Sequence, residues 1–263
     1  MVCCIKQQSS NSKSPLRYPG GKTRAVKIIT EYFPKDLTQL CSPFFGGGSI
    51  ELYLASQGVK VYGADVFKPL VEFWQCVLTE PKQLTRLVEN YYPLDKKTFY
   101  QLQKQQTNNK SKLHRAAIFY VLNRSSFSGT TLSGGMSPNH PRFTRNAIEQ
   151  LRHFKVKNIS IEQLDFKETI VKHKDVFLYL DPPYATNNAL YGKQGSTHKG
   201  FDHVALRNML RQRNKWILSY NDCAYIRKLY EGFYIKKLQW KYGMNKNKIS
   251  SELLIFSSIY SKK

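Results

Sequence analysis

The sequence predicts an α/β fold of Rossmann-like architecture interrupted by an inserted helical module, on three observations. A strand, a glycine turn, a helix and a second strand follow one another between Gln39 and Asp65. A helix-compatible stretch without convincing strands then runs from Phe67 to about Phe154, and beyond Lys157 strand and helix alternate again. Regular alternation is what a parallel sheet demands, since each crossover must return the chain before the next strand can pair.

The elements follow in order. Residues 1–13 are polar, lack the apolar segment of a signal peptide and are expected to be disordered. Residues 14–66 form the first part of the α/β unit. The turn Tyr18-Pro19-Gly20-Gly21 leads into a helix from Lys22 to Phe33, and a strand over Gln39–Phe44 follows. Ser49 then starts a second helix reaching Gln57, and Lys60–Asp65 is the next strand. Residues 67–155 carry helices at Leu70–Leu78, Lys82–Tyr91, Lys97–Gln105 and Leu113–Leu122, and then a long Gly/Ser/Pro-rich loop, Ser125–Pro141. Residues 156–263 return to the sheet. Asn158–Ile161 and Val176–Leu180 are strands, Asp202–Gln212 a helix, Trp216–Tyr220 a strand and Glu252–Phe256 a closing strand, with Thr186–Gly200 expected as a mobile loop.

The charge balance narrows the function. There are 41 Lys and Arg residues against 18 Asp and Glu, a formal charge of +23, which implies a polyanionic partner, nucleic acid foremost. Basic stretches that suit DNA are Lys110, Lys112 and Arg115, then Arg142 and Arg145, then Lys236–Lys248. No run approaches the roughly 18 apolar residues of a membrane span, so no membrane is expected. The five cysteines, Cys3, Cys4, Cys41, Cys76 and Cys223, are odd in number and lack metal-site spacing, which reads as reduced thiols in a cytoplasmic or nuclear compartment and no bound metal. The chain has no His-x-Glu with Pro-Cys-x-x-Cys and no Pro-Cys pair, so a zinc deaminase and a cysteine-nucleophile base methylase are both excluded.

Three local patterns carry chemistry. Gly46-Gly47-Gly48 lies where a strand ends and a helix begins, so backbone can approach a ligand closely there. The third glycine of a dinucleotide fingerprint is replaced by Glu51, and a phosphate loop ending in Gly21-Lys22-Thr23 lacks glycine at Leu16. What remains is a nucleoside without a pyrophosphate, its ribose hydroxyls meeting Asp65 at the tip of the second strand. Leu178-Tyr179-Leu180-Asp181-Pro182-Pro183-Tyr184 is a buried strand stopped by two prolines. Pro182 has a fixed φ and no N–H, so its carbonyl and the Asp181 carboxylate make two rigid acceptors for a planar amino group, with Tyr184 offering a face for stacking. A strand-ending turn in which Asp181 caps and Tyr184 packs accounts for the same residues without chemistry.

Tyr18-Pro19-Gly20-Gly21-Lys22, Pro43 to Ser49, Asn123-Arg124 with Phe127-Ser128-Gly129, and Asp181-Pro182-Pro183-Tyr184 stand in one order, and from Ser14 to Phe256 the chain resembles the Dam-like, α-class N6-adenine DNA methyltransferases. The resemblance implies the S-adenosylmethionine-dependent methyltransferase fold with a helical target-recognition domain. It implies S-adenosyl-L-methionine as cofactor, held by Tyr18, Gly21, Lys22, Phe44, Gly46, Gly48, Asp65 and Asp181, with Asp165-Phe166 at its adenine. It gives Asp181, Pro182, Pro183 and Tyr184 to catalysis, and Asn123, Arg124, Ser126, Phe127 and Ser128 to double-stranded DNA. Phe127 would fill the space a flipped base leaves, and Arg124 would bind phosphate or position the loop.

Members of that family that read GATC carry Asn-Gly-Leu-x-Arg where this chain has Ser128-Gly129-Thr130-Thr131-Leu132, so a different recognition site is expected. A restriction endonuclease acting on the same site is a candidate partner. An N4-cytosine enzyme and an RNA adenine methylase use the same acceptor geometry, and an inactive DNA-binding homologue is a third alternative. Asp rather than Ser at 181, the helical insert, and the presence of both Asp181 and Tyr184 count against these in turn.

Overall fold

A computed structural model describes residues 13–106, 111–132, 134–137, 142–185, 200–241 and 249–257. The expectations placed on residues 1–12, on Lys110, on most of the 186–200 loop and on 242–248 lie outside the described residues.

Seven strands form one sheet in the order β3-β2-β1-β4-β5-β7-β6. They are β1 (Gln39–Ser42), β2 (Lys60–Asp65), β3 (Ile159–Gln163), β4 (Phe177–Leu180), β5 (Trp216–Asn221), β6 (Tyr234–Lys241) and β7 (Ile249–Phe256). The first five are parallel, and β6 and β7 form an antiparallel edge against β5. The chain runs outward from β1 through β2 to β3, then crosses back to place β4 on the other side of β1, where Cys41 pairs with Leu178. This reversal leaves a crevice at the carboxyl ends of β1 and β4. Ser42-Pro43 and Asp181-Pro182 leave the sheet there.

Strand pleating divides the core in two. Leu40, Phe177, Tyr179, Ile217, Leu254 and Phe256 face one layer, while Cys41, Leu178, Leu180, Trp216, Leu218, Leu253 and Ile255 face the other. The first layer contains α1 (Val26–Thr30), α2 (Ser49–Ser56), α3 (Lys68–Thr79), α4 (Pro81–Glu89), α5 (Lys96–Gln105), α6 (Lys112–Ser125) and α7 (Arg145–Arg152). The second contains α8 (Phe166–Lys172), α9 (His203–Arg211) and α10 (Ala224–Leu229). None of the described helices is long and apolar enough to cross a membrane.

The helices between β2 and β3 share the core of the sheet. Phe73 of α3 stacks on Tyr120 of α6 at 5.6 Å, and α3 itself packs on β2 and β3. A buried ion pair, Arg115 to Glu72 at 2.5 Å, ties the same two helices and takes Arg115 out of the set of cations free for phosphate.

Several boundaries differ from expectation. The first helix is confined to Val26–Thr30: the turn in which the Gly21 N–H donates to the Tyr18 carbonyl is followed by a second turn, in which the Ala25 N–H donates to the Lys22 carbonyl, before the helix starts. Helix α6 runs past Leu122 to Ser125, which puts Asn123 and Arg124 on a helix rather than in a loop. Ser125–Pro141 opens with a 3-10 turn, Phe127–Gly129. Strand β6 occupies the basic 236–241 stretch, and Lys237 pairs with Asp222 at 3.1 Å.

The turn after α6 rests on Gly129. Its φ of +77° is left-handed, and a β-carbon there would lie 2.0 Å from the Arg17 carbonyl oxygen. Gly58 shares the positive φ, at +95°, but has nothing within 4 Å of the same point. Gly58→Ala should therefore cost only the backbone penalty of about 1–2 kcal/mol, a melting shift of roughly 2–8 °C. Gly129→Ala should lower the melting temperature by clearly more; equal shifts in thermal melts would show that the Arg17 contact does not constrain the turn.

Candidate active site

The crevice between β1 and β4 is lined by Tyr18, Gly21, Lys22, Phe44, Gly46, Gly48, Asp65, Asp165, Phe166 and Asp181, together with Pro182, Pro183 and Tyr184. Tyr18 and Tyr184, 166 positions apart, thus share one wall. The Tyr18 side chain lies across the glycine turn so closely that a β-carbon at Gly47 would sit 2.7 Å from the Tyr18 β-carbon, and one at Gly46 2.9 Å from its ring. Glycine there joins the two loops as well as opening the pocket. Asp65 accepts from the Gly46 N–H at 3.1 Å and the Phe67 N–H at 2.9 Å. Burial raises its pKa, and those N–H groups oppose the rise. Its carboxylate is thereby held at the pocket wall.

At the far side Phe166 stacks on Phe44, 5.8 Å apart at 28°, and Phe201 closes on both. Phe166 is at once core and pocket wall. Asp165 caps α8, accepting from the Lys167 N–H at 2.8 Å in a capping box with Glu168.

Lys22 is buried, and its ammonium lies 2.8 Å from both Asp181 oxygens, 2.8 Å from Glu252 Oε1 and 2.8 Å from the Tyr184 hydroxyl. Burial alone would drive Lys22 toward the neutral amine, but Asp181, Tyr184 and Glu252 outweigh it and leave its pKa well above that of a free lysine. Lys22 therefore faces the Asp181 group rather than a separate cofactor position. Burial pushes Asp181 up to about 6; Lys22 opposes this and Glu252 adds to it. Glu252 in turn accepts from Tyr184 and from Ser219 Oγ at 2.6 Å.

Sequence reasoning missed two acids here. Glu51, one turn into α2, is buried in the pocket wall and accepts from Ser42 Oγ at 2.7 Å, with burial pushing it up to about 7. It stands where the dinucleotide pattern fails, which was its available signal. Glu252, on β7, had none. Tyr179 also lines the pocket, and its buried hydroxyl has no hydrogen-bond partner among the described residues. A polar atom of a bound molecule would complete it.

These features suit S-adenosylmethionine. Four acids, Glu51, Asp65, Asp165 and Asp181, line the pocket against the Lys22 ammonium and favour a cationic ligand over a phosphate-bearing one, the Phe44–Phe166–Phe201 cluster offers an apolar wall to a purine, and Asp65 has lone pairs for hydroxyls.

Of the residues expected at DNA, the structure separates two kinds. Asn123 and Ser126 are turned inward. Asn123 Oδ1 accepts from the Arg17 N–H at 2.8 Å while its amide donates to the Arg17 and Gly129 carbonyls, and Ser126 Oγ accepts from the Thr131 N–H at 2.9 Å. Both shape the loop instead of reaching DNA. Phe127, 64% exposed, and Ser128, at a φ of +54°, are presented outward. Arg124 donates to the Arg142 and Pro15 carbonyls. Arg17 and Arg124 have pKa values lowered by burial and by Arg142 nearby, and none of these three arginines forms an ion pair among the described residues.

Comparison with known proteins gives the same direction. Residues 18–244 match the family described as D12 class N6 adenine-specific DNA methyltransferase. The chain is 24% identical to Type II methyltransferase M.CviBI of Paramecium bursaria Chlorella virus NC1A, over 88% of this chain and 91% of that one. It is 28% identical to Type II methyltransferase M.MjaIII of Methanocaldococcus jannaschii, over 88% and 92% of the two chains, and 25% identical to Type II methyltransferase M1.LlaDCHI of Lactococcus lactis subsp. cremoris, over 89% and 90%. With a sheet whose switch point joins a glycine turn to an Asp-Pro-Pro-Tyr strand end, and a family match over most of its length, this chain belongs to the D12 class of N6-adenine-specific DNA methyltransferases.

Proposed function

We propose that the chain methylates N6 of a flipped adenine in double-stranded DNA with S-adenosyl-L-methionine as donor, at a site other than GATC and alongside an endonuclease that cuts the same site, wherever in the cell that DNA lies. The observation that carries the reading is the meeting, at the carboxyl ends of adjacent strands, of the Gly46–Gly48 turn with Asp181. Donor and acceptor subsites then share one wall.

When bound, the cofactor supplies an electrophilic methyl on a sulfonium. Asp181 and the Pro182 carbonyl accept the amino hydrogens and draw the nitrogen lone pair out of conjugation, while Tyr184 stacks on the base. As the nitrogen takes the methyl from the sulfur it would become cationic, and the Asp181 carboxylate would stabilise that charge until the surplus amino proton is lost to water. Phe127 occupies the vacated space in the duplex, and Arg17, Arg124 and Arg142, which form no ion pair among the described residues, meet phosphates. The presence of both Asp181 and Tyr184 favours a working enzyme over an inactive DNA-binding protein. Methylating a random plasmid library and mapping the modified bases tests the whole reading; complete GATC protection with no other adenine modified would overturn the site assignment, and modified cytosine the acceptor.

Asp181→Ala should abolish transfer while cofactor and DNA affinity stay within a few-fold. Because Asp181 acts as the anion and burial raises its pKa to about 6, kcat/KM should rise with pH through that region and level above it. A flat profile from pH 5 to 8, or more than a few per cent residual turnover in the variant, would remove Asp181 from its role.

S-adenosylmethionine should raise the melting temperature by mass action where ATP and NAD do not, and Asp65→Ala should shrink the shift. An equal shift with ATP would contradict a pocket selective for a nucleoside cation.

Phe127→Ala should lose base flipping, since unstacking costs a few kcal/mol that the wedge offsets. The test is 2-aminopurine at the target position, whose fluorescence rises on leaving the stack. Undiminished fluorescence with the variant would show that Phe127 is no wedge.

A further inference from the structure

Lys22 has three N–H bonds and is surrounded by more acceptors than it can serve. Asp181 offers two oxygens at 2.8 Å, Glu252 Oε1 and the Tyr184 oxygen one each at the same distance, and the Gly20 carbonyl lies at 3.3 Å. With one N–H directed to Glu252 and one to Tyr184, a single N–H remains for Asp181, and one of its oxygens is left over. Remove Glu252 and the freed N–H closes on that second oxygen. The charge count agrees: Asp181, Glu252 and Lys22 together leave one negative charge, whereas Asp181 and Lys22 alone leave none.

Resting on the reading of Asp181 as the acceptor for the amino group, we propose that Glu252 is a positioning residue for methyl transfer, holding the Lys22 ammonium and the Tyr184 hydroxyl from behind so that one Asp181 oxygen and the tyrosine ring stay directed at the base. Glu252 reaches this position from β7, the antiparallel strand whose Tyr220–Leu253 and Asn221–Glu252 pairs register it beside β5. It is itself fixed by Ser219 at 2.6 Å on that neighbouring strand and is only 2% exposed, so it contacts neither the base nor the solvent and acts through Lys22 and Tyr184. Such a buried acid is costly unless paired, and here each donor that pairs with it is either part of the acceptor group or locked to the sheet.

The groups that bear on Asp181 are Lys22 from the turn before α1, Glu51 from α2, Tyr179 of β4, Tyr184 after β4, Tyr220 of β5 and Glu252 of β7. Among them Glu252 and Glu51 are the acids. Removing the Glu252 charge therefore leaves Lys22 to hold the Asp181 anion more tightly, and Asp181 titrates at lower pH.

The test is single-turnover methyl transfer and the pH dependence of kcat/KM in Glu252→Gln and Glu252→Asp, each shown to be folded by thermal melt and by S-adenosylmethionine binding. Glu252→Gln should slow single-turnover transfer by about tenfold or more with KM for the cofactor within roughly threefold, and should move the acidic limb down by about half a pH unit or more. Glu252→Asp keeps the charge and should hold the limb at the wild-type position, with transfer slowed a few-fold because the side chain is shorter. A limb unmoved in Glu252→Gln, or a change confined to KM, overturns the proposal. If Glu252→Gln does not fold, Glu252→Asp decides: slowed transfer at unchanged KM supports it, and wild-type transfer overturns it. Asp181→Asn separates the two readings. Active Asp181→Asn with the wild-type limb removes the role of Asp181 itself, whereas inactive Asp181→Asn beside an unmoved Glu252→Gln profile removes only that of Glu252.

Discussion

The ammonium of Lys22, held between Asp181 and Glu252, is the interaction on which the site depends. A lysine buried to this degree is stable as a cation only if its attraction to neighbouring acids exceeds the loss of hydration. Two acids from two strands meet that condition, and the geometry they impose is shared. The turn before α1, the end of β4 and the middle of β7 cannot move independently without leaving a charge unpaired in the interior. The strand order makes this possible, since β4, β5 and β7 are successive neighbours and place Asp181, Ser219 and Glu252 across one another. The stability of the pair and the precision of the acceptor group thus have one origin.

A second lock joins this site to the helices inserted between β2 and β3. Asn123, at the end of α6, accepts from and donates to the backbone of Arg17, the residue immediately before Tyr18, and the Tyr18 ring lies on the glycine turn. Displacing the Phe127 turn therefore pulls on the loop that covers the pocket. The insertion also shares its core with the sheet through Phe73, Phe119 and Tyr120, so it offers no hinge of loosely packed residues at that boundary. The inward set of Asn123 and Ser126 belongs to the same economy of form: buried amide and hydroxyl groups hold a tight turn, which leaves the exposed Phe127 as the projecting group.

What was legible in the sequence follows from how local each signal was. The parallel strands read well because a central strand is apolar on both faces, as in Phe177–Leu180, and because glycine or proline marks where it stops. Helices α2 to α5 were legible as helix-compatible stretches, and in the structure the Asp95 carboxylate caps α5 by accepting from the Thr98 N–H. Helix α1 read too long, because the 22–25 stretch has helical composition while its backbone closes a separate turn, the Ala25 N–H donating to the Lys22 carbonyl. Strand β6 was hidden by its own sequence: in Tyr234-Ile235-Lys236-Lys237-Leu238 two adjacent lysines break the alternation on an edge strand, a composition that also describes a basic surface loop. The pocket's glycines and Asp181 were visible as motifs. Glu252 was not, since its importance arises from a pairing with Lys22, 230 residues earlier in the chain, and its neighbours Ser251 and Leu253 give no hint that the strand carries a buried acid.

The charge of the molecule is divided in a way that bears on selectivity. The chain as a whole carries +23, yet the pocket is lined by Glu51, Asp65, Asp165 and Asp181 against Lys22, with Glu252 behind that lysine. At a short range inside a poorly solvated cleft these acids outweigh the distant cations, whose field is screened by salt within about 10 Å. A polyphosphate attracted to the basic surface would meet repulsion on entering, whereas a sulfonium with an amino-acid ammonium would gain at each step inward. On the proposed reading the DNA backbone, too long to enter, would stay on the outer face beside Arg17, Arg124 and Arg142. One chain can thus draw a polyanion to its surface while reserving its interior for a cation, and the boundary between the two regimes is the Tyr18–Lys22 turn, which contributes Arg17's neighbourhood to one and Lys22 to the other.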